Sequence, residues 1–360
     1  MNEALPKNVL LPSASERRQI FHWLKKVSSL TAWKRIFHYY QIWATATEAS
    51  LRLADENGWG EKTALSYADY AIILNGLAHC EEGTIRLSKG DKRVFKFDAN
   101  GEFEMAARAI FHWKELINRI EDGENGIDRD HTPLWQEFCD ATQDAYRAWW
   151  ECSACVLEPR YLDESAPLVY NDWLIGELNS EINANAAEDI LPPHKEIFIS
   201  TDEYVPHSGI WEPIVADPKD SFLISLIKRR EVPKPPFEIS GTMNYLHGGS
   251  KAPRASIETP SDFLEIKTTW RLLWKDDRYI DGLVPAEETN YRFRQPEKSI
   301  KPDISRMQMD HTLWAETGTI VPASGRWLLE SELRISSYFS AGDIFPEHQG
   351  RAVRWVFANH

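Results

Sequence analysis

The first half of the chain places apolar residues at the three-to-four spacing that is typical of amphipathic helices. Ser15 is a candidate N-cap for the first of them. The predicted helices run from Ser15 to Val27, Trp33 to near Asn57-Gly58, Tyr67 to Glu82, Glu102 to Asp122, Thr132 to Leu157 and Asn171 to Asp189. Residues 84–97 instead alternate around Lys89-Gly90-Asp91, and this pattern predicts a small β-hairpin.

The pattern changes after Leu191-Pro192-Pro193-His194, where proline becomes frequent and helical spacing fades. Short β-like runs follow, such as residues 196–199 and 222–227. The chain is therefore predicted to be α+β, with an N-terminal multi-helix domain that includes the hairpin near 84–97. The C-terminal half is predicted to form two related small antiparallel β units, each an SH3-like barrel or a sandwich. The predicted boundaries are 1–190 for the helical domain, 191–286 for the first β unit, and 287–360 for a linker and the second β unit.

A near-repeat in the C-terminal half supports the two β units. Residues 205–211 read Val-Pro-His-Ser-Gly-Ile-Trp, and residues 321–327 read Val-Pro-Ala-Ser-Gly-Arg-Trp. Each is followed by Gly-x-x-x-Pro, at 249–253 and 342–346, and then by an apolar stretch that contains tryptophan. Pro and Ser-Gly favour a turn, and the ordered recurrence of all three parts indicates duplication. The first copy holds an insertion between its first Trp and its Gly-x-x-x-Pro.

Composition narrows the class of protein. The 360 residues include 15 tryptophans, and no run of 18 apolar residues is present. The first residues lack the apolar segment of a secretory signal, and four cysteines do not suggest a disulfide framework, so a cytoplasmic protein is expected. The net charge is −14, and residues 1–190 carry 31 acidic against 20 basic residues. Such a charge disfavours direct binding of nucleic acid and favours basic partners.

A search for catalytic and metal-binding motifs gives weak candidates. Cys152-x-x-Cys155 has redox or metal spacing, but a pair of buried small apolar residues is the favoured interpretation. The segment Asp128-Arg129-Asp130-His131 is interpreted as a solvated loop that caps the next helix, with Asp130 near its N-cap. His247-Gly248-Gly249-Ser250 superficially resembles an oxyanion loop, and its place in the repeat favours a turn. No catalytic residue, cofactor or metal ligand is therefore predicted.

The helix predicted from Thr132 has two contrasting faces. An apolar face is predicted to be buried, and it comprises Leu134, Phe138, Ala141, Ala145, Trp149, Cys152 and Val156. Acidic residues recur at three-to-four spacing on another face, and we call Glu137, Asp140, Asp144 and Glu151 the acidic ridge. Repulsion between like charges slightly weakens a helix, so the ridge is a candidate surface for a basic partner. An ordinary solvated helix face is the alternative.

The combination of these motifs resembles a known class. The tryptophan-rich helical half carries Phe21-His22-Trp23-Leu24 and Leu30-Thr31-Ala32-Trp33, and it precedes the module with Pro-x-Ser-Gly-x-Trp, Gly-x-x-x-Pro and a closing tryptophan. This resembles bacterial polymorphic-toxin immunity proteins, in particular the predicted immunity protein families seventy-one and seventy-two. The β module is also similar to small domains encoded beside type VI secretion effectors.

The resemblance implies a cytoplasmic toxin inhibitor that acts through protein–protein interaction. Such a protein binds a cognate secreted antibacterial toxin, here a basic one with a cytoplasmic target, and occludes its active site or substrate surface. No enzyme activity, direct nucleic-acid binding or membrane binding is implied. The alternatives are an adaptor or chaperone for a secreted effector, an enzyme that reverses toxin damage, and a β pair that binds a peptide at an exposed edge strand.

Overall fold

The computed structural model describes residues 9–160, 165–180, 190, 196–215, 233–259, 263–295, 314–322, 325–330 and 332–358. In these ranges α-helices fill the N-terminal half and short antiparallel strands fill the C-terminal half, which confirms the predicted α+β class. The helices are α1 Ala14–Val27, α2 Leu30–Glu56, α3 Tyr67–Ser88, α4 Glu102–Glu121, α5 Trp135–Val156 and α6 Asp172–Leu178. The strands are β1 Phe198–Ser200, β2 Gly209–Ile214, β3 Asn244–Leu246, β4 Ala255–Glu258, β5 Phe263–Ile266, β6 Thr269–Lys275, β7 Trp314–Glu316, β8 Gly325–Leu329, β9 Glu332–Phe339 and β10 Arg354–Ala358.

Helix α1 begins at a capping box. The Ser13 hydroxyl accepts a hydrogen bond from the Glu16 N–H (3.3 Å), and the Glu16 carboxylate accepts one from the Ser13 N–H (2.8 Å). The N-cap is therefore Ser13, and the prediction of Ser15 was wrong by two residues. Ser15 lies within the helix because Ser13, three residues before Glu16, has the spacing that satisfies both N–H groups.

The predicted hairpin at 84–97 was also wrong. Helix α3 continues to Ser88, and residues Lys92–Phe95 form a 3-10 helix. The Gly90 N–H donates to the Leu87 carbonyl (2.9 Å), and Gly90 has a φ of 82°. A glycine in the left-handed region ends many helices as readily as it turns hairpins, so this turn signal was assigned to the wrong element.

Other element boundaries differ less between the prediction and the structure. Helix α5 starts at Trp135 rather than Thr132, since Leu134 adopts a φ of 54° and interrupts the helix. The last predicted helix is Asp172–Leu178 where it is described, and residues 181–189 lie outside the described part. The apolar run 222–227, predicted to be β-like, also lies outside it.

The chain divides into two compact units, each assembled from three segments. The first unit comprises residues 1–34, 85–98 and 150–294, and the second comprises residues 35–84, 99–149 and 295–360. Each unit holds one four-stranded antiparallel sheet. The division at residues 190 and 286 stays a prediction, as does the choice between barrel and sandwich.

The two sheets share one topology, which confirms the internal repeat. The first sheet has the order β1-β6-β2-β3, and the second has the order β7-β10-β8-β9. In both, the first strand pairs with the last, and the last pairs with the second. An additional hairpin of β4 and β5 interrupts the first copy, between its Gly-x-x-x-Pro and its closing strand. The sequence comparison missed this hairpin.

Corresponding tryptophans brace the two copies in the same way. Trp270 Nε1 donates to the Pro253 carbonyl (2.9 Å), and Trp355 Nε1 donates to the Pro346 carbonyl (3.3 Å). The proline of each Gly-x-x-x-Pro thus presents its carbonyl to the closing tryptophan. A buried indole N–H needs an acceptor, and this explains why the two motifs recur together.

One threonine near the start of each copy also makes corresponding hydrogen bonds. The Thr201 hydroxyl accepts from the Thr268 N–H (3.0 Å), and the Thr317 hydroxyl accepts from the Val353 N–H (2.9 Å). The same two hydroxyls donate to the carbonyls of Pro253 and Pro346, each at 3.2 Å. The two β units are therefore similar in hydrogen bonding as well as in strand order.

Aromatic side chains fill the core of each unit. In the second unit, the Phe138 ring lies edge-on to Trp113 at 4.9 Å between centroids, and Trp327 lies against Phe345 at 4.6 Å. In the first unit, Trp211 and Trp270 are fully buried in the β core. No helix in the described ranges is long and apolar enough to cross a membrane.

Candidate functional site

Helix α5 buries the face that the sequence predicted. Phe138, Ala141, Ala145, Trp149 and Cys152 are all buried. Val156 is buried as well, whereas Leu134 precedes the helix and is only partly buried. The acidic ridge lies on the remaining side of the helix.

The ridge residues differ in exposure. Glu137 is exposed, while Asp140, Asp144 and Glu151 are half-buried. The Asp140 carboxylate accepts a hydrogen bond from Gln136 Nε2 at 2.8 Å. Glu137, Asp140 and Asp144 belong to the second unit, and Glu151 belongs to the first. The predicted spacing therefore places three of the four carboxylates on one helix face of one unit.

The negative charge of this face affects the pKa of a neighbouring thiol, that of Cys139. Burial, together with the carboxylates of Glu121 and Asp140, raises the pKa of Cys139 to about 12. Arg129 and Lys114 act in the opposite direction. The negative field at the start of α5 thus includes Glu121 at the end of α4, and it outweighs two neighbouring cations.

The remaining cysteines are suited to packing rather than to chemistry. None of the four cysteines forms a disulfide, and both Cys152 and Cys155 are buried. Burial raises the pKa of the Cys155 thiol far above its usual range, which keeps it protonated and unreactive. In the described ranges no group of three or more His, Cys, Asp and Glu side chains is arranged to hold a metal ion.

The two histidine motifs form local structure. Asp128, rather than Asp130, caps the 3-10 helix Arg129–His131, and its carboxylate lies 2.6 Å from His131 Nδ1. The assignment of Asp130 as the cap was wrong because the helix it was meant to cap begins later. His247 lies in the predicted turn, and burial lowers its pKa to about 3. Its Nδ1 has no hydrogen-bond partner within the described part of the chain.

The first unit contains a buried ionic cluster that sequence reasoning missed, formed by Lys92, Asp276 and Arg278. Arg278 Nη2 lies 2.7 Å from one carboxylate oxygen of Asp276, and its Nε lies 2.8 Å from the other. The Tyr245 hydroxyl donates to Asp276 at 2.9 Å. Lys92 Nζ lies 3.4 Å from Asp276 and donates to the Arg278 carbonyl at 3.2 Å.

The charges in this cluster depend on one another. Burial alone would raise the pKa of Asp276, but Arg278, Lys92 and the Tyr245 hydroxyl together hold it below its usual range. Burial lowers the pKa of Lys92 to about 8, since the attraction of Asp276 only partly offsets the loss of solvent and the repulsion of Arg278. The single carboxylate of Asp276 is therefore paired with two cations, Lys92 and Arg278.

The cluster and its neighbour Glu288 are bonded to the end of α1, the start of α2 and the residues between them. Arg278 Nη1 donates to the Lys25 carbonyl (2.8 Å), and Nη2 donates to the Ser28 hydroxyl (2.8 Å). Glu288 is buried nearby and accepts from both the N–H (3.0 Å) and the hydroxyl (2.7 Å) of Thr31. The Tyr279 hydroxyl donates to Glu288 and accepts from the Leu30 N–H (2.7 Å). A carboxylate at the first turn of α2 matches the positive end of the helix dipole.

Comparison with known protein families gives two matches. Residues 11–167 match the family described as Immunity protein 71, and residues 191–292 match the family described as Immunity protein 72. Two immunity-protein regions make up the greater part of this chain. The resemblance seen in the sequence is thereby confirmed. Neither the curated proteins nor the solved structures give a significant match.

The matches set the broad function. Immunity proteins bind a cognate toxin and neutralise it, and such families are typically inhibitors rather than enzymes. The described residues of the second β unit, 314–322, 325–330 and 332–358, lie beyond both matched regions. The sheet in that part of the chain has the same strand order as the sheet that lies mostly within the second matched region.

Proposed function

We propose that this protein neutralises a cognate secreted antibacterial toxin in the cytoplasm by binding it and covering its active site or substrate surface. The observation that carries the proposal is the pair of immunity-family matches over residues 11–167 and 191–292. Four cysteines without a disulfide agree with a reducing compartment. Delivery of the toxin by a polymorphic or type VI secretion system is part of the same proposal.

We assign the acidic ridge as one contact surface for the toxin. A toxin that acts on a nucleic acid or nucleotide needs a basic cleft, and an inhibitor with a net charge of −14 is attracted to it at long range. Exposed Glu137 and half-buried Asp140 and Asp144 supply charge on a rigid helix. Long-range attraction of this kind acts mainly on the rate of association.

The first experiment is growth rescue. Bacteria that express the toxin encoded by the adjacent gene should regain growth when this chain is co-expressed, and the two proteins should co-purify. An adaptor would co-purify without rescuing growth. Failure of both rescue and co-purification would refute the proposed function.

The second experiment tests the ridge. Asp140→Lys with Asp144→Lys should slow association about tenfold at low ionic strength, and the difference should shrink as salt screens the charges. Glu61→Lys with Glu82→Lys makes the same charge change at exposed acids outside α5 and serves as the control. If stopped-flow mixing gave equal association rates for both double variants, the ridge would have no special role.

A further inference from the structure

An exposed apolar tip follows directly on the buried ionic cluster. Five consecutive residues, 280–284, are exposed, and three of them are aliphatic. Ile280 and Leu283 are each 68% exposed, and Val284 is 48% exposed. Single exposed apolar residues are ordinary, but three within five residues form a patch of the kind that marks binding surfaces.

The tip is held by one of the most constrained segments of the first unit. On its N-terminal side, Arg278 is buried and bonded to Asp276, Lys25 and Ser28. On its C-terminal side, Glu288 is buried and bonded to Thr31. We call residues 276–288 the anchored loop. An apolar tip on a fixed base loses little conformational freedom when a partner covers it, so it binds more tightly than the same side chains on a mobile loop.

The backbone inside the loop shows the same constraint. Tyr279 is buried and has a φ of 70°, a conformation that large side chains rarely adopt. Within the loop, the Gly282 N–H donates to the Tyr279 carbonyl (3.0 Å), and the Leu283 N–H donates to the Asp281 carboxylate (2.9 Å). Unfavourable backbone conformations persist where the surroundings enforce them, and they concentrate at functional sites.

The buried charges also indicate that the position of the tip is fixed. A buried ion pair contributes little stability compared with a well-packed apolar core, whereas it does fix a specific geometry. Here the geometry that it fixes is the position of the tip relative to the ends of α1 and α2. Ile280 also lies against the backbone of Gly90, where an added Cβ would come within 3.0 Å of it.

We propose that Ile280, Leu283 and Val284 form the apolar centre of a toxin-binding surface that fits an apolar depression on the cognate toxin. This proposal rests on the proposed function. The anchored loop lies within residues 191–292, the region that matches an immunity family. A few well-packed residues near the centre of an interface carry most of the binding energy, while charges steer the encounter.

Charge favours the toxin over a second copy of this chain as the occupant. The one charged residue between Ile280 and Val284 is Asp281. Two copies meeting tip to tip would bring their Asp281 carboxylates together, and the whole chain carries a net charge of −14. A basic toxin would be repelled neither by Asp281 nor by the net negative charge of the chain.

The test is the affinity of the full chain for the toxin domain encoded by the adjacent gene. Ile280→Ser with Leu283→Ser should raise the Kd by about 10- to 100-fold, mainly through faster dissociation. Ile320→Ser is the matched control, because Ile320 is an equally exposed isoleucine (68%) in the second unit. It should leave the Kd within twofold of the wild-type value. Unchanged thermal unfolding of the double variant would show that its fold is intact.

Three results would overturn the proposal, and they are distinguishable. If the wild-type chain binds and the double variant binds within threefold of it, the tip is not part of the interface and the proposed function stands. If the wild-type chain sediments as a dimer that the double variant abolishes, the occupant is a second copy. If the wild-type chain neither binds the toxin domain nor rescues growth, both the tip assignment and the proposed function are wrong.

Discussion

Lys92→Met tests the balance of charges in the ionic cluster. The folded protein lowers the pKa of Lys92 to about 8 through burial, whereas an unfolded lysine titrates near ~10.4. A group whose pKa is lower in the folded state binds fewer protons there. The charged form of Lys92 therefore opposes folding below pH 8, and stability should rise as the pH increases from about 8 to about 10.4.

The expected magnitude follows from the pKa difference. At about 1.36 kcal/mol per pKa unit, the shift of Lys92 corresponds to about 3 kcal/mol of stability. Removing Lys92 does not leave Asp276 alone, because both of its oxygens remain bonded to Arg278. The loss is the bond of 3.2 Å to the Arg278 carbonyl, about 1 kcal/mol. Lys92→Met should then stabilise the protein by about 2 kcal/mol at pH 7, and this gain should fall by about 2 kcal/mol by pH 10.

Urea unfolding followed by tryptophan fluorescence measures both values. The free energy of unfolding is compared between wild type and variant at pH 7 and pH 10, so that other titrating groups cancel in the difference. Lys275→Met, an exposed lysine next to the cluster, is the control and should show no such pH dependence. A variant whose stability difference from wild type is the same at both pH values would refute the reasoning.

Three further substitutions test the β units. Thr201→Val should cost about 1–3 kcal/mol in urea unfolding because it leaves the Thr268 N–H buried without its acceptor, and Thr317→Val should cost a similar amount in the second copy. If either substitution left the free energy of unfolding unchanged, the two copies would not be stabilised by equivalent hydrogen bonds. Gly209→Ala should cost about 1–3 kcal/mol or more, since its Cβ would lie 2.1 Å from the Trp274 carbonyl oxygen and force β2 away from β6. A thermal midpoint equal to that of wild type would contradict this close approach.

Local patterns predicted the helices and the duplication well. The apolar face of α5 was found from spacing alone, because a 22-residue helix repeats its signal many times. The two β units were found because each copy repeats a turn, a proline and a tryptophan in one order. The structure supplies the physical link, which is the indole N–H of Trp270 or Trp355 donating to a proline carbonyl.

Short or ambiguous signals failed. Gly90 could end a helix or turn a hairpin, and the hydrogen bond from its N–H to the Leu87 carbonyl at the end of α3 is not visible in the local sequence. The cap of α1 was misplaced by two residues because Ser13 and Ser15 are chemically alike. The difference lies in their spacing to Glu16.

The ionic cluster was beyond sequence reasoning for a different reason. Arg278 finds acceptors 253 residues away at Lys25, and Lys92 donates to a carbonyl 186 residues away. No local sequence pattern predicts partners that are so distant in the chain. The acidic ridge, in contrast, needed only one helix, and its role in toxin binding stays a prediction.

The long separation between α1 and the anchored loop has a consequence for synthesis of the protein. At about 5–20 residues per second, a ribosome takes roughly 10–50 s to travel from Lys25 to Arg278. During that interval the nascent α1 exposes Ile20, Leu24 and Val27, which the finished protein buries. Nascent chains therefore keep this apolar face uncovered until the anchored loop has been synthesised. If the proposed function is correct, steady expression before the toxin arrives suits such a molecule better than induction by the attack.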